Sequence, residues 1–93
     1  MSTKKVFTSE QAAEVSGKIG LDFASVGFDL EQFRMGMDVE LEHGKVDPQT
    51  NVTDDDPVMT GKIALAHLRE FPDYYTRLNE MEKEAETYWD ARK

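Results

Sequence analysis

The sequence predicts an all-α fold, a small bundle of about four helices over approximately residues 9–19, 29–43, 57–70 and 72–90. Three observations carry that expectation. Apolar residues recur at helical spacing, helix-start and helix-stop residues bracket each periodic run, and no convincing strand is found. A polar loop over 45–56 divides the second helix from the third. With 93 residues, the whole chain, 1–93, is expected to form one helical domain.

The first helix opens at "FTSEQAA". Thr8 is placed to cap it, Gln11 to reach back in a capping box, and Phe7 to staple onto Ala12. Val15 and Ile19 continue the apolar stripe, Gly17 weakens the helix slightly, and Gly20 ends it with Leu21 covering the terminus. "FDLEQF" repeats the grammar, with Phe28 outside, Asp29 as cap, Gln32 reaching back and Phe33 as staple partner. The repetition suggests a duplication, but capping rules alone select these residues. Leu30, Phe33, Met37 and Leu41 form the second buried stripe, which halts at Gly44.

The segment "KVDPQTNVTDDD" is rich in turn formers. An EF-hand loop beginning at Asp47 would require glycine at Val52 and glutamate at Val58, and has neither. Asp54, Asp55 and Asp56 are instead expected to form an acidic start to the third helix, with Pro57 at its first position, where a missing N–H costs nothing. Pro72 ends that helix at Phe71. A fourth helix follows, in which Tyr74, Leu78, Met81, Ala85 and Tyr88 make an apolar seam expected to dock on the chain's own core, or otherwise to serve an oligomer. Tyr74, Tyr75, Tyr88 and Trp89 are read as core and rim packing with hydroxyls at the edge.

Composition excludes several functions. There is no cysteine, so no disulfide, thiolate metal site or thiol nucleophile is available. The net charge of -8 opposes binding to nucleic acid or an anionic membrane. No apolar run is long enough to span a bilayer, and "MSTKKVFTSE" has no apolar core behind its lysines, so no signal peptide is expected. A cytoplasmic location follows as the expectation, and the Asn51-Val52-Thr53 sequon is read as plain loop. Few serines occur, none in a nucleophile elbow, and no glycine-rich phosphate cradle exists, which points away from an enzyme.

The informative polar residues lie in two stretches. In "VELEHG", at about 100° per residue, Glu40 falls about 20° from Phe33, at the edge of the buried stripe. His43 lies about 60° further round, while Glu42 falls with Glu31 and Asp38 on the polar side. In "KIALAHLREFPDYY", His67 faces inward, level with Ala64 and Phe71 and almost opposite Lys62 and Arg69, with Glu70 about 60° away.

Paired E-x-x-H and H-x-x-E spacings are elements from which bundles assemble carboxylate-bridged metal centres. Glu40, His43, His67 and Glu70 could therefore hold zinc, manganese or iron. The plainer reading makes His43 a helix-ending cation and His67 a buried group bonded to Glu40 or to a carbonyl. If helices two and three were antiparallel, the histidines would stand on the order of 15 Å apart. Only a crossing or parallel arrangement brings them together.

Together, "FDLEQFRMGMDVELEHG", "TNVTDDDPVMTGKIALAHLREFPDYYTRL" and "EMEKEAE" resemble a family of small bacterial, archaeal and phage proteins described only as a domain of unknown function. The resemblance spans roughly residues 7–86, with E-x-E-H-G and I-A-x-x-H-L-x-E-x-P-x-Y-Y-x-x-L at its core. It implies that Glu40, Glu42, His43, His67, Glu70, Pro72 and Tyr75 matter together, that Glu42 belongs with them, and that 45–56 is an elaboration. It implies no activity. The preferred reading is a non-enzymatic binding or scaffolding module with an internal Glu/His cluster, no required cofactor and an unidentified protein partner. The alternative is a metal-carboxylate protein.

Overall fold

The computed structural model describes residues 6–91; residues 1–5, part of the segment read for a leader, lie outside it. The described chain is all-α, with α1 over Ser9–Lys18, α2 over Leu30–Glu40, a short 3-10 turn over Leu41–His43, α3 over Pro57–Glu70 and α4 over Tyr74–Asp90. No strand occurs among the described residues, and no helix there is long and apolar enough to cross a membrane.

The capping chemistry largely dictates the boundaries. Thr8 and Gln11 form the reciprocal capping box on α1. The helix leaves through Gly20 at φ +77°, with Gly20 N–H donating to Gly17 and Leu21 N–H to Ser16, the paired bonds of a Schellman ending. Asp29 caps α2 by accepting from Gln32 N–H. Gln32, however, does not reach back. Its amide donates to Thr76 Oγ1 at 3.1 Å, so the residue is a tie to α4 and the repeated capping box is incomplete. Asp56 caps α3 ahead of Pro57 as expected.

The acid cluster before α3 divides its labour. Only Asp56 serves the helix start. Asp55 turns its carboxylate to the Lys45 N–H at 2.8 Å, and Asp54 approaches the Lys45 ammonium at 3.9 Å. Asp54 and Asp55 both take left-handed backbone angles (φ 52° and 63°), which aspartate tolerates better than most residues. A side chain at Gly44 would collide with the Asp55 carboxylate, so this helix end needs glycine for close approach and not for a left-handed turn.

The core consists of Phe7, Ala12, Val15, Phe28, Phe33, Met37, Ala64, Leu68 and Tyr75. Burying each large member contributes about 1.5–3 kcal/mol against the entropy of ordering it. Phe23, from the α1–α2 connection, meets Phe28 and Phe33 edge-on at 6.1 and 6.2 Å between centroids.

Helices α2 and α3 make the largest contact, and small residues let them approach closely. A Cβ on Gly36 would sit 3.0 Å from the Ala64 Cβ, and one on Gly61 would sit 3.1 Å from Phe33 Cζ. Phe33 with Gly61, Gly36 with Ala64 and Glu40 with His67 advance together along both helices. The two nevertheless cross: Asp55 lies against Gly44 and the Thr53 N–H donates to the His43 carbonyl, so α3 starts beside the end of α2 and passes over it at Gly36 and Ala64. That geometry removes the separation expected of an antiparallel pair and sets His67 beside the end of α2.

Two faces differ from the sequence expectation. Asp38 and Arg34 are each only 6% exposed, because the residues ahead of α1 cross that side of α2. Asp38 Oδ1 accepts from the Val6 and Phe7 N–H groups at 3.1 and 2.8 Å, and its other oxygen takes Arg34 Nη1 at 2.6 Å. Arg34 also grips Glu31 with two 2.7 Å bonds. These bonds to Glu31, with the nearby carboxylate of Asp38, hold the Arg34 guanidinium above its already high range despite burial.

The α4 seam is also only partly docked. Tyr75 is buried and Tyr74 and Leu78 are half-buried, but Met81, Ala85 and Tyr88 are exposed. The outer half of α4 overruns the body it was expected to cover. Phe71 likewise lies outside, with the Arg77 guanidinium 4.7 Å over its ring.

Candidate functional site

Glu40 ends the regular part of α2 one helical face away from solvent and is 4% exposed. A buried carboxylate is costly unless it is hydrogen-bonded or paired. Here Tyr75, in the first turn of α4, donates its hydroxyl to Glu40 Oε2 at 2.7 Å. Two imidazoles flank the same carboxylate. His43 Nε2 is 3.6 Å from Oε1, and His67 Nε2 is 3.6 Å from Oε2. Both distances exceed good hydrogen-bond length, so the pairing is electrostatic when an imidazole is protonated.

Aromatic packing orients His67. Its ring stacks on Tyr74 at 4.5 Å and 18°, and meets Tyr75 at a right angle, 6.2 Å away. Pro72 makes this possible by stopping α3 and letting α4 begin within reach of the preceding turn. His67 Nδ1 is shielded from solvent without a hydrogen-bond partner, and the nearest carboxylate oxygen, Glu70 Oε2, is 3.9 Å away. His43 is held differently. Its carbonyl accepts from Val52 and Thr53 N–H at 2.7 and 3.2 Å, which fastens the return loop to the end of α2.

Glu40, His43 and His67 thus converge from two helix ends, while the Glu70 side chain is mostly exposed and stands at the margin. Among the described residues, no group of three or more His, Asp or Glu side chains is arranged to hold a metal ion. Glu42 lies outside the cluster and is exposed. Partial burial, then the Glu82 carboxylate of α4, still push its carboxyl above the usual range.

The residue that sequence reasoning placed least well is Tyr75, whose hydroxyl was expected at an edge. It is 1% exposed. Burial first, then the bond to Glu40 and its charge, push the phenol far above the ordinary tyrosine range. The available signal was the Pro72 and Tyr75 spacing in the second motif. No single-helix projection could have paired Tyr75 with Glu40.

The arrangement defines a small all-α protein whose helix ends are joined by a Glu–Tyr–His cluster. A family described as protein of unknown function (DUF5661) matches the chain over residues 12–84, and the chain belongs to that family. That span includes Glu40, His43, His67 and Tyr75. No curated protein and no solved structure matches the chain.

Proposed function

We propose that the chain acts as one non-enzymatic helical binding or scaffolding module, in which Glu40, Tyr75, His67 and His43 set the geometry of α2, α3 and α4. The observation that carries this reading is that the buried Glu40 carboxylate takes its one close hydrogen bond and both flanking imidazoles from its own chain. A cleft of about 310 Å³ lined by Phe7, Gln11, Val15 and Pro57 lies on the α1–α3 side.

The metal-carboxylate reading rests on the convergence of two imidazole Nε2 atoms on one carboxylate, with Glu70 as fourth candidate ligand. Elemental analysis of untagged protein, with melting curves in chelator, separates the two. The scaffolding reading expects no stoichiometric metal and an unchanged melting temperature in chelator. One equivalent of zinc, manganese or iron, with a chelator-dependent loss of stability, would overturn it.

A further inference from the structure

The outer half of α4 carries chemistry that the core does not use. At about 100° per residue, Leu78, Met81, Ala85, Tyr88 and Trp89 fall within about 100° of one another. Met81, Tyr88 and Trp89 are 57%, 50% and 64% exposed, and Tyr88 and Trp89 pack edge-on at 5.2 Å between centroids. Every residue from Lys83 to Asp90 is exposed, so this ridge projects beyond the body. A projecting aromatic and methionine face is the kind of surface that laying one helix against another buries.

Charge decides what can lie there. Glu82 borders the Trp89 side of the ridge about 20° on, and Glu84 borders the Tyr88 side about 40° on. Beyond Glu84 comes Glu80, and Lys83 is the single basic residue of the stretch 80–90. Glu82 also adds to burial in raising the Glu42 carboxyl at the end of α2. A second copy of this helix, in either direction, would bring glutamate rows against glutamate rows. An apolar helix with lysine or arginine on its flanks would cover the ridge and neutralise both borders.

We infer that the outer half of α4 is a docking surface for a basic amphipathic helix of another protein, with Met81 and Trp89 as anchors between glutamate borders. The inference rests on the reading of the chain as a binding module, but uses a face separate from the Glu40 cluster. The two tests therefore fail separately, one in metal content and stability, the other in binding.

Trp89 is the only tryptophan in the chain, so its emission reports directly on the ridge. Three synthetic peptides of about 15 residues serve as probes: a leucine–lysine helix with the apolar stripe in period, the same composition with the period scrambled, and a leucine–glutamate helix. The in-period basic peptide is expected to shift Trp89 emission to the blue and to bind, by anisotropy of a labelled copy, more weakly as salt rises. Met81→Glu is expected to weaken binding at least about tenfold, a change of about 1.4 kcal/mol, without altering far-ultraviolet dichroism. Trp89→Glu, read by anisotropy, provides the second variant. Equal binding of the scrambled or acidic peptide would overturn the proposal, as would binding indifferent to both variants. A dimer of the peptide-free protein that Met81→Glu abolishes would overturn it too, by making a second copy the occupant.

Discussion

The Tyr75 hydroxyl and the Glu40 carboxylate meet at 2.7 Å across a sequence separation of 35, both inside the molecule. Each is the other's remedy for burial. Removing one leaves a buried polar group unsatisfied, at about 1–3 kcal/mol, whereas removing both restores part of that loss. Tyr75→Phe and Glu40→Met, which removes the acceptor at similar volume, are each expected to destabilise by that amount in urea unfolding. Their double mutant should fall short of the sum by at least about 0.5 kcal/mol. Strict additivity would show that the bond does not form in solution.

The same pair sets an alkaline limit. An unfolded tyrosine ionises near pH 10, while buried Tyr75 keeps its proton well above that. Below pH 10 both states hold the proton and the contribution is fully present. Above it the unfolded chain releases a proton that the folded one retains, so stability falls by about 1.4 kcal/mol per pH unit. Unfolding free energies from pH 9 to 11.5 should show that extra slope in the native protein relative to Tyr75→Phe. Parallel curves would contradict it.

Glycine-to-alanine substitutions should have opposite signs at two helical positions. At Gly36 a Cβ would lie 2.5 Å from Tyr75 Cε2, and Tyr75 is pinned by its bond to Glu40. Overpacking of about 1–3 kcal/mol should outweigh the roughly 1 kcal/mol of helix propensity that alanine adds. At Gly17 nothing lies within 4 Å, so alanine should stabilise by several tenths to about 1 kcal/mol. Thermal midpoints of the two variants check both signs.

Asp38→Ala should detach the segment ahead of α1. The substitution takes one partner from the buried Arg34 guanidinium, which keeps Glu31, and frees the Val6 and Phe7 N–H groups. Each lost hydrogen bond to the carboxylate costs about 1.5–3 kcal/mol. Amide exchange is the sharper readout, because protection at Phe7 should be lost even in conditions where α2 and α3 remain protected.

How far the sequence foretells these features depends on whether a residue's partners are local. Thr8 with Gln11, Gly20, Asp56 with Pro57, and Pro72 act within one turn, and their roles were legible. Glu40 and His67 were legible as inward residues because the helical period places them so. Asp38 was not, since a wheel drawn on α2 cannot include the residues at 6–7 that cover it. Gln32 had two available partners, its own helix start and Thr76, and only the packing of α4 selects between them. The outer half of α4 repeats an apolar period without a body beside it. Periodicity marks a face that can be buried, not one that is.

The crossing of α2 and α3 frees the Glu40 cluster from the length of the connecting segment. That segment leaves the end of α2 and comes back to it: Asp55 lies against Gly44 and accepts from the Lys45 N–H, and the Thr53 N–H donates to the His43 carbonyl. It is a closed excursion, and α3 starts where α2 stopped. The entropy of closing such a loop changes slowly with its length, by about 0.6 kcal/mol per doubling. A homologue could shed residues between Lys45 and Asp55 and still bring His67 over Glu40. Insertions and deletions there would leave both motifs in register.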